Sequence, residues 1–327
     1  MHVFLLKGIV FGIIGMLTLG SMFYWNKVSD MLKSTVGLDA RKDETKNVAI
    51  CIVGQAGRLE YDTKIKNLIS INAARPDVNL FVIGVLDEGA LYSDKQKHSQ
   101  VATSPLCYEN GTDMAGLFHD RFSLPNVTVE LHMSSAINTF PLSKHSRTAL
   151  DKYRRKEKTN DARLDRIQNH LRQFSHDAMC YQQIIQLEET HAMKMDITIR
   201  LRDNAMVLKP FDIIDIMEKH YYRKTLTKNC FAWGGVADKF WISPRRHLEG
   251  TMAHITEDVV GGERYLRKAQ PRNSERLVKA VWQKNKVNIA ALSPQDIPVT
   301  DGRCSEQGNM AMAPHFVSLD GVKDCAP

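Results

Sequence analysis

The feature that most restricts the fold is a pair of fully apolar stretches with a helical one between them. Residues 47–58, NVAICIVGQAGR, open with an unbroken apolar run, and residues 79–87, NLFVIGVLD, repeat the pattern. A strand with one face in water alternates, whereas a strand apolar at every position is covered on both faces. Between the two, YDTKIKNLISINAA (61–74) puts Ile65, Leu68 and Ile69 at helical spacing, and Pro76-Asp77 stops it. Strand, helix, strand of this kind predicts an α/β architecture, a mostly parallel sheet with helices on both faces.

The rest of the chain extends that pattern. Residues 88–125 read as loop with one short helix, followed by the strand VTVELHM (127–133). A basic stretch, KYRRKEK (152–158), leads into a long helix over 161–193, with Leu164, Ile167, Leu171, Phe174, Met179, Ile184, Ile185 and Leu187 as its apolar positions. A strand over 195–202 comes next, then a helix over 211–223 and two short strands around a turn within 229–243. Helices over 245–258 and 274–285 and a last strand, VNIAAL, complete the pattern, with no internal repeat. The length of 327 residues, 43% of them hydrophobic and 25% charged, suits one large α/β domain or two small ones with additions.

Residues 8–25, GIVFGIIGMLTLGSMFYW, carry no charge and end in three aromatics. A bilayer-spanning helix needs roughly 20 such residues and prefers aromatics at its interface. Bulky Met22-Phe23-Tyr24-Trp25 beside the small Thr18 and Gly20 makes a poor cleavage site, so the segment is expected to remain as an anchor. The organisation expected is a tail 1–7, a transmembrane signal anchor 8–25, a polar stem 26–46 and a domain 47–327. Lys27, Lys33 and Arg41 follow the span while only Lys7 precedes it, which leans against a lumenal domain. Two sequons, Asn110-Gly111-Thr112 and Asn126-Val127-Thr128, argue for the lumen. Of the six cysteines, Cys51 is expected buried and reduced within its strand, and Cys304 and Cys325 to bridge the carboxy-terminal tail. The net charge of +7 gives a solvated face or attracts an anionic partner, but no zinc spacing, aromatic RNA signature or helix-turn-helix points to nucleic acid.

In open parallel sheets, ligands bind beyond the carboxyl ends of the strands. At the first such end, Gly54-Gln55-Ala56-Gly57-Arg58 is either a bare turn or a place where backbone approaches a ligand and Arg58 meets a phosphate. It lacks the G-x-G-x-x-G dinucleotide fingerprint. The second is DITIRLRDNAMVLKP (196–210), where Asp203-Asn204-Ala205 is a turn or a metal-binding strand end that has lost one carboxylate. Arg200 and Arg202, two apart, share one strand face, as buried site residues or as surface ion pairs. TEDVVGG (256–262) offers Glu257 and Asp258 as a general base or as surface decoration, and Asp238 follows a glycine pair. No Ser-His-Asp, H-E-x-x-H or C-x-x-C arrangement supports hydrolase or thiol chemistry by those routes.

Several short motifs fall in a recognisable order: VGQAGR (53–58), CYQQIIQLE (180–188), RLRDN with the exit LKP (200–210), GGVADKF (234–240) and SERLVKAVWQKNKVNI (274–289). Over roughly residues 47–300 the chain resembles membrane-anchored, Golgi-type nucleotide-sugar glycosyltransferases of the GT-A fold. More narrowly, it is similar to a sparsely characterised group of GT-A-like proteins from algae, plants and other eukaryotes. The resemblance implies a Rossmann-like sheet and transfer of a sugar from a nucleoside-diphosphate donor to a hydroxyl on a glycan, protein or lipid. It implies nucleotide-sugar contacts from Gly54, Gln55, Arg58, Arg200, Arg202, Asp203 and Asp238, with Mn²⁺ or Mg²⁺ on Asp203. EDVVG (257–261) resembles the Glu-Asp-Val motif of β-1,3-type glycosyltransferases, which implies Asp258, beside Glu257, as the base. The family's second metal-binding acid is replaced by Asn204-Ala205, so a metal held by one carboxylate and an amide, or arginines in its place, are both open. The location implied is a Golgi or endoplasmic reticulum membrane, single-pass type II, with the domain lumenal. Two other readings remain: a non-catalytic GT-A-like scaffold, and a Golgi sulfotransferase, whose phosphate loop GQAGRLEYDT would have to supply.

Overall fold

The computed structural model describes residues 45–87, 108, 112–134, 139–153, 159–230, 234–304 and 310–312. The expected anchor, the stem up to residue 44, Asn110, residues 154–158 and Cys325 lie outside them. The chain divides into Met1–Thr45 and Lys46–Pro327, and the fold belongs to the second unit.

Its centre is a seven-stranded sheet. The strands are β1 (Lys46–Gln55), β2 (Val78–Asp87), β3 (Val127–Ser134), β4 (Ile197–Arg202), β6 (Thr225–Lys228), β7 (Phe240–Pro244) and β8 (Ile289–Leu292). They lie in the order β3-β2-β1-β4-β7-β6-β8. All run the same way except β7, which pairs antiparallel with β4 and β6. Val48, Ile50 and Ile52 of β1 enter the core on one face, and Ala49, Cys51 and Val53 enter the core on the other. That two-sided burial is the reason for the unbroken apolar run.

One face is covered by α1 (62–73), α2 (Met114–Phe122) and α5 (Ile213–Lys219). In α1 a wide π-type turn, Ile65–Ile69, separates two short α segments. The amides of Asn67 and Asn72 fasten this helix to the segment after β4, donating to the carbonyls of Val207 at 2.6 Å and Phe211 at 2.9 Å. The other face carries α3 (Lys144–Ala149), α4 (Asn160–Thr190), α6 (Leu248–Met252), α7 (Ile255–Gly261), α8 (Arg264–Ala269) and α9 (Ser274–Lys284). Thr159 and Asn273 cap α4 and α9 by accepting from the N–H groups of Ala162 and Arg276.

Several boundaries differ from the sequence expectation. The helix expected over 245–258 is a 3₁₀ turn (Arg245–His247) followed by α6 and α7, which ends on left-handed Gly262 (φ 71°). The helix expected over 211–223 shortens to α5, and the first strand expected within 229–243 lies earlier, as β6. A small second sheet, β10-β9-β5, was not expected; it consists of β5 (Ala205–Val207), β9 (Val299–Cys304) and β10 (Met310–Met312). Two of its strands have three residues, too few to show a period. Among the described residues no helix is long and apolar enough to cross a membrane.

The expectation for Cys51 is corrected. It is buried, but it is oxidised, in a disulfide with Cys180 that staples β1 to α4 across 129 residues of chain. Cys230 is disulfide-bonded as well. An apolar strand position looks like a reduced thiol in sequence because its partner is chosen by helix packing, not by spacing. Closing so long a loop restricts the unfolded chain strongly. The double variant Cys51→Ala/Cys180→Ala is expected to lose about 2–5 kcal/mol in denaturant unfolding relative to the oxidised protein; an unchanged midpoint would contradict the staple.

Candidate functional site

Strand order reverses between β1 and β4: β1 continues to β2 and β3 on one side, while the chain returns to β4 on the other. The carboxyl ends of these two strands therefore mark the switch point at which open α/β sheets take ligands. Gly54, Gln55 and the 3₁₀ turn Ala56–Arg58 lie at the end of β1, and Asp203 directly follows β4.

Asp203 is fully buried. Its Oδ2 accepts from the Gln55 N–H at 3.1 Å and from Arg58 Nε at 3.0 Å, with Arg58 NH2 at 2.8 Å. Its own N–H donates to Val53 O at 2.8 Å. Gly54 makes this approach possible. A Cβ there would stand 2.5 Å from Asp203 Cγ, and its φ of +139° is one that L side chains rarely adopt. Beneath the carboxylate lies Lys64, also fully buried. Its Nζ donates to the carbonyls of Glu60 at 2.6 Å, Asp203 at 2.8 Å and Ala205 at 2.5 Å. Burial pushes the Lys64 ammonium down from its ordinary value, against the charges of Glu60 and Asp203. Asp203 thus joins the β1 turn, the β4 end and α1 at one point.

This arrangement does not fit the divalent ion expected on Asp203. Oδ2 is already committed to a guanidinium 2.8 Å away, and a second cation on that oxygen would repel it. Among the described residues Oδ1 has no hydrogen-bond partner, and it packs against Gly54. Asn204 is tied to the small sheet, donating from Nδ2 to Gly302 O at 3.0 Å and accepting from the Gly302 N–H at 2.7 Å on its carbonyl. Ala205, where the second acid would stand, is buried in the core. Among the described residues no group of three or more His, Cys, Asp or Glu side chains could hold a metal.

A second polar layer comes from α4. Arg200 is wholly buried, its Nε donating to Asp177 Oδ1 at 2.8 Å and its NH1 to the Asp238 carbonyl, with the guanidinium 4.6 Å from the centre of the Trp241 ring. Burial raises the Asp177 carboxyl to about 6, against the pull of Arg200. Burial also acts to raise Asp238, but Arg202, Lys239 and His170 outweigh it and hold that carboxyl low. Half-buried Arg202 therefore sits in the field of Asp177 and Asp238, and Asp238 also lines a small pocket with Lys239, Thr300 and Asp301. Directly before Asp177 on α4, His176 Nε2 lies 3.1 Å from Ser134 Oγ at the end of β3, and among the described residues its buried Nδ1 has no partner. Burial depresses the imidazole to about 4, with Asp203 opposing and Arg172, Arg200 and His132 assisting.

The structure therefore gathers Gly54, Gln55, Arg58 and Asp203 at the switch point, with Arg200, Arg202 and Asp238 on the α4 side. It does not bring Asp258 there by any contact. That carboxylate accepts from Tyr265 Oη at 2.6 Å and from Lys284 Nζ at 3.2 Å, within the layer of α7, α8 and α9. Glu257 is exposed, 4.0 Å from His254. Sequence reasoning missed Lys64, Asp177, His176 and Ser134. The available signal was polar residues on the apolar side of the long helix, such as His176-Asp177 next to Phe174 and Cys180.

No protein-family model and no curated protein sequence matches the chain. Among solved structures it is similar to a proposed nucleotide-diphospho-sugar transferase from Desulfovibrio desulfuricans G20, at 8% identity and a TM-score of 0.35, covering 76% of this chain and 80% of that one. It is also similar to mouse xyloside xylosyltransferase 1 in its apo form, at 8% identity and a TM-score of 0.39, covering 76% and 86%.

Two outcomes test the site's energetics. Asp203→Asn leaves Arg58 without its counter-charge and is expected to cost about 3 kcal/mol of stability by chemical unfolding; a loss below about 1 kcal/mol would mean that the pair is not structural. His176 binds its proton near 6.5 when unfolded but near 4 when folded. The stability it contributes is complete above 6.5 and is lost as pH falls towards 4. Asp177 acts oppositely, since its folded value of about 6 exceeds its ordinary value of 3.8, so its contribution is lost as pH rises through about 6. Relative to wild type, His176→Asn should therefore gain about 3 kcal/mol between pH 7 and pH 4 in unfolding measurements. A parallel pH profile would contradict a buried neutral imidazole.

Proposed function

We propose that the chain is a glycosyltransferase of the GT-A type, receiving a nucleoside-diphosphate sugar at the switch point between β1 and β4 without a divalent ion. The observation that carries this reading is Arg58, clamped by Asp203 at the switch point. A guanidinium has five N–H donors in a rigid fork. Two of its nitrogens face Asp203, and the side chain keeps 14% of its surface exposed for a phosphate. The Arg58–Asp203 pair is neutral as a whole, so its donors orient the diphosphate more than they attract it. Attraction falls to the chain's net charge of +7.

In the transfer, the acceptor hydroxyl oxygen attacks the anomeric carbon, the bond to the diphosphate breaks, the nucleoside diphosphate leaves with the electron pair, and the hydroxyl proton passes to a diphosphate oxygen. Asp258 is not assigned as the base, because Tyr265 and Lys284 already share its carboxylate. The acceptor class is a hydroxyl on a glycan, protein or lipid. A single-pass type II protein with its domain in the lumen of the endoplasmic reticulum or Golgi agrees with the apolar segment 8–25 and with oxidised Cys51, Cys180 and Cys230.

The commitment of both Asp203 and Asp258 to internal partners favours a second reading, a binding module that holds the nucleotide sugar without turning it over. A sulfotransferase is less well supported: Thr63, the residue its phosphate loop would need, is bound through both its N–H and its hydroxyl to Glu60. Calorimetric titration of the disulfide-intact domain with UDP, GDP and their sugars is the test, with donor hydrolysis followed in parallel. Binding is expected with or without a chelator, and Arg58→Ala should weaken it tenfold or more, about 1.4 kcal/mol. Binding with turnover supports the transferase, and binding without it the module. Failure to bind any of these nucleotides, or binding only of adenosine 3′,5′-bisphosphate, would overturn both.

A further inference from the structure

We infer that Asn126 carries an N-linked glycan that covers the open edge of the sheet, an inference independent of the transferase reading. β3 stands first in the sheet order, and among the described residues it is hydrogen-bonded to β2 alone. Its outward N–H and C=O groups form an edge on which another strand could pair, a hazard that proteins manage by covering or blocking such edges. The sequon Asn126-Val127-Thr128 lies where this strand begins.

The local geometry suits a modified asparagine. Asn126 is exposed in a turn closed by the Val127 N–H on Leu124 O at 3.1 Å. Its φ of 63° is left-handed, a conformation asparagine tolerates better than most residues. Val127, Val129 and Leu131 turn inward against the core, which leaves Thr128 and Glu130 on the exposed face. Asparagine and threonine of the sequon are thus both at the surface, and a glycan leaves the packed interior undisturbed. The buried Cys51–Cys180 bridge and the oxidised Cys230 agree with an oxidising compartment, where such transfer occurs.

The co-reactant is a lipid-diphosphate-linked oligosaccharide. Asn126 Nδ2 attacks the anomeric carbon of its first sugar and loses one proton to the transferring enzyme. The carbon–oxygen bond breaks, and the lipid diphosphate leaves with the electron pair.

The test uses the full chain expressed in eukaryotic cells. Release by a peptide:N-glycan amidase converts a glycan-bearing Asn to Asp, which peptide mass spectrometry reads at each sequon. Conversion at Asn126 is expected, together with loss of one glycan step in Asn126→Gln and in Thr128→Ala and its retention in Thr128→Ser. The serine variant keeps the sequon, so it separates lost modification from altered folding. An unconverted Asn126 in the folded chain, or conversion at Asn110 alone, would overturn the inference. Native removal of the glycan should raise self-association at least twofold by light scattering; no rise would overturn the shielding of the edge.

Discussion

One carboxylate holds the candidate site together. Asp203 is out of contact with solvent, and its charge is tolerable only because Arg58 and the Gln55 N–H compensate it from one side while Lys64 anchors the neighbouring backbone from below. Such a group is costly to bury and more costly to leave unpaired. Each partner is therefore fixed: Gly54 has to lack a side chain, the 3₁₀ turn has to bring Arg58 back, and α1 has to present Lys64 inward. The result is a rigid guanidinium at the point where the sheet changes direction.

The same economy of buried polarity runs through α4. Its inner face combines Phe174 and Ile184, packed on the sheet, with Asp177 on Arg200 and with Cys180 covalently bound to Cys51. Ion pair and disulfide together fix the register between helix and sheet, which places His176 beside Ser134 at the carboxyl edge. The opposed pH responses of Asp177 and His176 arise from that one cause, burial acting on an acid and on a base.

Much of the fold could be read from the residues because two-sided burial leaves an unmistakable apolar run in β1 and β2. The long helix α4 and the amphipathic α9 were equally legible, each with a polar cap just ahead of it. The small sheet was not, because β5 and β9 are brought together by contacts almost 100 residues apart, such as Asn204 on Gly302. Of the site, the glycine turn, Arg58 and Asp203 were legible as strand ends. Their relation was not: an acid after a strand reads as a ligand for metal, and only the approach to Gly54 reveals a carboxylate turned inward. Lys64 and Asp177 were invisible for the reverse reason, since charged residues on a helix are ordinarily at its surface.

The most direct test is a double-mutant cycle on nucleoside-diphosphate affinity, using Arg58→Gln, Asp203→Asn and the pair, each checked for its native fold by circular dichroism. If Asp203 acts by holding Arg58 in place, each single change weakens binding by a similar factor and the double change is no worse than Arg58→Gln alone. Strictly additive losses, or wild-type affinity in Asp203→Asn, would contradict that role.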